Sequence, residues 1–498
     1  MSRIVIVGNG PAGYRLAQLL GARAPESDIT VLGEEREPAY NRVLLTDVVA
    51  GRLAAERTHL TPLDRAGVRV RTGVAAVGID RHRRVVRAAD GSLHPYDHLV
   101  LATGARSFLP PVSGLVGADG ALAPRAVAVR TLADGRRLER LLREGGRAVV
   151  LGGGVLGVEI ARALTERDCK VDVVHRGPHV MDGQLGPDAG RVLSSVLERF
   201  GIRVLAGRTA TAWTGDRLEL DDGTELPADL LVVSAGAVPE VELARRAGLR
   251  VGRGIVVDAY LCTEDPRIRA LGDCAEVEGR VSGLVAPAWE QAEVLAEVLA
   301  GVLAEAPAGG DLAGKVPAGG GGRGYAGTPA LTRLKARDVD LVVLGEGDRE
   351  VPGSEVVTVA DAARGRYARM SVRGDRIVGA VLLGFPGCVA AVSQLFDAAA
   401  PVPADRIALL VGAGAVDGTA DPAALPGQAV VCRCNNVTKN DLVAAWRAGA
   451  RERSALVRAT RATTGCGGCG DAVADLCRWL GAADGEARPE PMRPALAR

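Results

Sequence analysis

Four cysteines near the C-terminus, Cys432, Cys434, Cys466 and Cys469, form a C-x-C pair and a C-x-x-C pair with 31 residues between them. Two tight pairs of thiolates can close around one small metal centre. The first two thirds of the chain carries two glycine-rich loops, Gly8-Asn9-Gly10-Pro11-Ala12-Gly13 and Gly152-Gly153-Gly154-Val155-Leu156-Gly157. Each follows an apolar, strand-like run and opens a helix-like stretch. In that setting the unpaired N–H groups of a helix N-terminus meet the phosphates of a dinucleotide. The chemistry implied is redox, with nucleotide cofactors at one end and a thiolate-held metal centre at the other.

The elements that must position these residues are legible as a pattern. Apolar runs at Arg3–Val7, Asp28–Leu32, His98–Leu101, Ala148–Leu151, Lys170–Val174 and Leu230–Val233 alternate with longer helical stretches, including 14–20 and 158–164. That alternation predicts an α/β protein with parallel sheets and crossover helices. In the first loop Gly8 permits a tight turn, Gly10 lets the backbone approach a pyrophosphate, and Gly13 lets helix and strand pack closely. The next strand runs into Gly33-Glu34-Glu35, where an acid such as Glu34 can hold a ribose diol. The plain alternative is a glycine turn without a ligand. In the second unit the corresponding strand ends at His175-Arg176, a basic end that can pair with a 2′-phosphate and tilts the expectation toward NADPH. Arg176 as an ordinary surface arginine is the alternative.

The totals narrow the class. A chain of 498 residues predicts three or four domains. Charge balances at +1, with 61 basic and 60 acidic residues, so nothing argues electrostatically for nucleic acid or an anionic membrane. No secretory leader pattern and no apolar run long enough to span a bilayer are read, so a soluble cytoplasmic protein is expected. Cys169, Cys262, Cys274, Cys388 and Cys477 are scattered and read as small buried hydrophobes. Gly, Pro and Ala dominate 306–324, expected to be a flexible excursion, and 398–426 is a second break. Between them, Leu341–Leu344, Met370–Val372 and Ile377–Leu383 read as strands of a smaller α/β unit. A helix is expected over Lys439–Ala450, after Thr438, and disorder after Gly481.

The two glycine loops, with Ala102-Thr103-Gly104 and Leu271-Gly272-Asp273, resemble the pattern of two-dinucleotide-domain flavoprotein reductases. The resemblance implies FAD in the first unit, with Gly272 and Asp273 at its ribityl and phosphate portion and Thr103 and Gly104 crossing nearby. As read from the sequence, Asp273 is alternatively a helix cap. It also implies a nicotinamide dinucleotide on Gly152, Gly154, Val155, Leu156 and Gly157, with Glu159 near its ring and Ala235-Gly236 closing that unit. The early dithiol of flavin disulfide reductases has no counterpart, because the first cysteine is Cys169. In its place Tyr40-Asn41-Arg42-Val43-Leu44-Leu45-Thr46 is similar to a stretch of nitrite and assimilatory nitrate reductase flavoproteins, which implies that Arg42 contacts FAD.

The cysteine spacing departs from a zinc ribbon, whose two C-x2-C pairs stand closer, and from the common ferredoxin spacings. With its flanking residues it resembles the bacterioferritin-associated ferredoxin-like domain, implying a [2Fe–2S] cluster; zinc or unliganded thiols are the alternatives. Taken together, the order of segments is similar to the electron-transfer subunits of bacterial assimilatory nitrate reductases and to the N-terminal part of NAD(P)H nitrite reductases. The expected division is an FAD unit over 1–118 and 238–305, an NAD(P)H unit over 119–237, a small domain over 325–400, a [2Fe–2S] domain over 427–482 and a tail over 483–498. The resemblance implies relay from NAD(P)H through FAD and the cluster to a molybdenum-containing nitrate reductase catalytic subunit. A stand-alone ferredoxin- or rubredoxin-type reductase is the second reading, and a docking ferredoxin for an iron-storage protein the third.

Overall fold

The computed structural model describes residues 1–63, 67–304, 324–412, 425–432, 437–463 and 469–483. The run Ile4-Val5-Ile6-Val7 is buried on both faces, as a central parallel strand requires. It lies mid-sheet in the order Ile268–Ala270, His98–Leu101, Arg3–Val7, Asp28–Gly33, Val68–Thr72, all parallel. Helix Pro11–Arg23 starts with Pro at its first position, where a missing N–H costs nothing. Its Leu16 and Leu20 share a core with Leu295 and Leu299 of helix Val285–Ala304.

A second parallel sheet has the order Ile202–Ala206, Lys170–His175, Arg147–Leu151, Leu230–Val233, Ala126–Ala128. The chain enters and leaves it through two short strands, Ala105–Ser107 and Ala237–Pro239, that pair antiparallel. Ala102-Thr103-Gly104 and Ala235-Gly236 therefore stand at a two-stranded crossing. The crossing is pinned by Thr103 Oγ1 donating to Glu240 O at 2.6 Å and Glu240 N donating to Gly104 O at 2.9 Å.

The third sheet is antiparallel: Leu331–Arg333, Leu341–Gly345, Arg376–Leu383, Arg366–Arg373, Glu355–Asp361. Its apolar runs are continuous because both faces are covered. Leu341, Val343, Val381 and Leu383 pack with Leu185, Val192 and Val196 of the second unit, whereas Val342, Leu344, Ala380 and Leu382 face Cys388 and Val392. Period-two alternation divides one run between two cores. That second core takes in Leu409 and Leu410, so the stretch read as a break from 398 contains helix Arg406–Val411. The C-terminal unit is a hairpin, Val430–Cys432 with Val437–Thr438, and helices Lys439–Arg447, Arg453–Thr460 and Gly470–Ala483. Thr438 and Asp441 form a reciprocal capping box, which starts the helix where expected; it ends at Arg447 rather than Ala450. The last helix runs through Gly481 to Ala483, past the point where disorder was expected. The flexible excursion read over 306–324 lies, apart from Gly324, outside the described residues.

One buried histidine is expected to make this fold sensitive to acid. His98 is 2% exposed, with Nδ1 3.5 Å from Arg269 Nη1 on the adjacent strand. Burial first, and then the Arg269 guanidinium, push its pKa down from 6.5 to about 4. Between those values the unfolded chain binds a proton that the folded chain refuses. The contribution of His98 to stability is therefore expected to be fully present above pH 6.5 and to fall as pH drops toward about 4. The loss is about 3 kcal/mol. Denaturant titration at neutral and acid pH is expected to show a shallower pH dependence in His98→Asn than in the parent; an identical slope would clear His98.

Candidate functional site

The first-site residues converge although they are far apart in sequence. Gly8, Gly10, Pro11, Ala12, Glu34, Arg42, Ala102, Thr103, Gly104, Gly272 and Asp273 all line one cleft. Gly8 has φ +117°, and a Cβ there would sit 2.0 Å from Ala102 O, so only glycine lets these two strand ends meet. Gly13 does not line the cleft; its missing side chain leaves room for Gly8 O. Gly10 caps helix Pro11–Arg23 without a side chain, and a Cβ there would meet nothing nearer than the Arg42 guanidinium at 3.9 Å. The helix N-terminus is thus left open beside an arginine, a donor set that fits the pyrophosphate of FAD.

Charged groups line this cleft and pair with one another. Tyr40 donates its hydroxyl to Glu35 at 2.7 Å, and Arg42 pairs with the same carboxylate while stacking over the Tyr40 ring at 5.0 Å. Arg42 Nη1 also donates to Arg130 O at 3.0 Å, and Arg130 Nη2 donates to Asp273 at 2.5 Å. Burial pushes the Tyr40 phenol well up, so it stays a hydrogen-bond donor at neutral pH. Asp273 sits in a short 3-10 turn, Gly272–Cys274, after strand Ile268–Ala270 and pairs with Arg130, so it is more than a helix cap. Sequence reasoning missed Arg130, which arrives from the far side of the crossing with no local motif. Glu35 and Tyr40 stood beside residues that were singled out, and their acid and phenol were the available signal.

The second loop repeats the first in geometry. Gly152 has φ +119°, and a Cβ there would lie 2.2 Å from Ser234 O, while Gly154 faces open space. This open, uncapped helix start fits a second dinucleotide phosphate in the same way. Leu156 reaches into the first cleft, so the two loops adjoin. His175 turns inward: Gly153 N donates to its Nδ1 at 3.2 Å, and Nε2 lies 3.0 Å from Asp182. Arg176 stays exposed at the strand end. Glu159 is 3% exposed; its carboxylate accepts from Lys335 N at 2.9 Å and lies 3.3 Å from Lys335 Nζ. Lys335 lies between the first two strands of the third sheet, Leu331–Arg333 and Leu341–Gly345.

Cys432 and Cys469 are both buried, packed among Leu442, Trp446, Leu456 and Val473. Cys434 and Cys466 lie outside the described residues. The two described cysteines come from a hairpin strand and the start of the last helix and meet in one small core, which suits a shared thiolate-held centre. Cys169, Cys262, Cys274 and Cys388 are buried as expected, and burial raises each thiol pKa. Cys477 differs, because it is only partly buried.

Residues 2–292 match the model of the pyridine nucleotide-disulphide oxidoreductases. The chain belongs to the pyridine nucleotide-disulphide oxidoreductase family. Residues 330–385 match the rubredoxin NAD+ reductase C-terminal domain and residues 430–478 the BFD-like [2Fe–2S] binding domain. The cofactors of this member of the family are accordingly FAD, NAD(P)H and a [2Fe–2S] cluster. The disulphide of the family name has no early counterpart here. An NAD(P)H nitrite reductase of Bacillus subtilis is 31% identical over 484 residues, covering 95% of this chain and 57% of that protein. The assimilatory nitrate reductase electron transfer subunit of the same organism is 30% identical over 489 residues, covering 96% of this chain and 60% of that protein. The chain thus spans a little over half the length of these curated relatives. The crystal structure of a covalent putidaredoxin reductase–putidaredoxin complex superposes with a TM-score of 0.69 at 28% identity, covering 80% of this chain and 94% of that one. Among the described residues no helix is long and apolar enough to cross a membrane.

Proposed function

We propose that this protein relays electrons from NAD(P)H through FAD and a [2Fe–2S] cluster to the molybdenum-containing catalytic subunit of a nitrate reductase, in the cytoplasm. One observation carries the reading: a single chain joins a cleft lined by the first glycine loop, and reached by Leu156 of the second, to a domain that buries Cys432 and Cys469. The alignment of an assimilatory nitrate reductase electron transfer subunit across 96% of the chain supports the choice of acceptor. When bound, FAD takes a hydride from NAD(P)H as one two-electron step and yields electrons singly, which is chemistry the cofactor itself supplies.

The chain's own residues bind and orient. In this reading Gly8, Gly10, Pro11 and Ala12 cradle the FAD pyrophosphate, Gly13 lets the helix pack against the turn beneath them, Glu34 holds a ribose, and Arg42 neutralises charge in the cleft. Ala102, Thr103, Gly104, Gly272 and Asp273 flank the middle of the cofactor. Gly152, Gly154, Val155, Leu156 and Gly157 hold NAD(P)H, with Glu159 toward the nicotinamide and Ala235 and Gly236 closing the turn. Arg176 is the group offered to a 2′-phosphate, since His175 is engaged beneath the loop. Cys432, Cys434, Cys466 and Cys469 supply the cluster ligands. No side-chain nucleophile or acid–base pair is invoked for the hydride step.

The test is reconstitution with a nitrate reductase catalytic subunit under anaerobic conditions, following nitrite formed from NAD(P)H. Cys432→Ser is expected to lose iron and stop nitrite formation while FAD is still reduced by NAD(P)H. Full-speed nitrite formation by iron-free protein would overturn the relay. The likeness to putidaredoxin reductase supports a second reading, a stand-alone reductase that serves small electron carriers. Faster transfer to ferredoxin or rubredoxin than to the nitrate reductase subunit would favour it.

A further inference from the structure

Arg461 is a described residue through which the cysteine domain touches the FAD-cleft unit. It caps helix Arg453–Thr460 in the left-handed conformation, with φ 63°, and its N–H donates to Val457 O at 2.8 Å. Its Nη1 donates to His59 O at 2.5 Å, a contact between residues 402 positions apart. The guanidinium is partly buried, and the Tyr14 phenol is close enough that each perturbs the other's titration. Tyr14 in turn donates its hydroxyl to Thr61 O at 2.8 Å. One side of this contact thus consists of a backbone carbonyl, an aromatic ring and the strand-like segment between them.

The contact lies a few residues from the chemistry on both sides. Tyr14 belongs to the helix whose first residues, Pro11 and Ala12, line the cleft. The His59 ring lies 3.2 Å from Glu37, which also lines the cleft. On the other side, a short stretch of chain leads from Arg461 to Cys466 and Cys469. A guanidinium–carbonyl bond in a partly buried setting is charge-assisted, and tethering within one chain raises the effective concentration of the partner surface. The Arg461–His59 bond, with the Tyr14 phenol nearby, therefore favours the seated position of the domain.

We propose that Tyr14, His59 and Thr61 form the seat of the cysteine domain on its own chain, and that Arg461 latches it there so that electrons pass from the FAD cleft to the cluster across this contact. The proposal rests on the relay reading above. No covalent bond is made or broken in docking, which only sets the gap an electron crosses.

The experiment uses full-length protein with flavin and iron quantified first. In Arg461→Ala, reduction of FAD by NAD(P)H, followed by flavin absorbance in anaerobic stopped flow, is expected to be unchanged. Reduction of the cluster, followed by its electron paramagnetic resonance signal, is expected to slow about tenfold, the effect of losing one charge-assisted hydrogen bond. Arg461→Lys should fall between, and Tyr14→Ser, on the facing side, should repeat the pattern. Amide hydrogen exchange over 59–61 is expected to rise in Arg461→Ala and reports docking without turnover. Unchanged cluster reduction with unchanged exchange would overturn the latch. Parent protein without iron would defeat the relay reading instead, and the exchange measurement would still decide the docking.

Discussion

Replacing Lys335 by Met is expected to cost about 3–5 kcal/mol, because it strands a buried carboxylate. The Glu159 side chain is 3% and the Lys335 side chain 18% exposed, so solvent screens neither well. The lysine amide and ammonium both address the Glu159 carboxylate, at 2.9 and 3.3 Å, and the ammonium also donates to Val43 O at 2.5 Å. One side chain therefore ties together the small-domain segment, the helix after the second glycine loop and the segment that carries Arg42. Denaturant titration of Lys335→Met should show the loss. The Lys335→Met, Glu159→Leu double variant should recover much of it, since an apolar pair of similar size avoids the unpaired charge. A Lys335→Met protein as stable as the parent would show that the pair contributes nothing. In Glu159→Ala, FAD reduction by NAD(P)H is expected to slow; an unchanged rate would remove Glu159 from the site.

Gly152→Ala is expected to weaken NAD(P)H binding by about 30-fold or more while leaving FAD in place. The added Cβ would stand 2.2 Å from Ser234 O at a φ of +119°, so the loop must move or strain. An outward shift of the loop withdraws its N–H groups from the phosphates. Gly8→Ala meets the same obstacle at Ala102 O, 2.0 Å away, and should instead release FAD. The two are separated by measuring the flavin-to-protein ratio and titrating with NAD(P)H. Equal loss of both cofactors in Gly152→Ala would mean that the two loops do not act as separate sites.

The glycine loops were readable because their constraint is local. A tight turn that needs positive φ, followed at once by a helix start, is written in six consecutive residues. The strand Arg3–Val7 and the helix begun by Thr438 and Asp441 were legible for the same reason, each being specified within a few residues of itself. The helix Arg406–Val411 was not, because its short apolar stretch gains a partner only when Leu409 and Leu410 reach the core beneath an antiparallel sheet.

The sequence by itself determined that the chain carries two dinucleotide loops and two cysteine pairs, since spacing along the backbone sets turn geometry and ligand reach. Only the tertiary structure decided that Arg130 crosses from the second unit to Asp273, that Lys335 returns to Glu159, that His175 folds under its own loop and that Arg461 reaches His59. Apart from His175, these contacts join residues more than a hundred positions apart. Polar pairing between distant segments has no periodicity along the chain, so such partners become visible only once packing has brought the surfaces together.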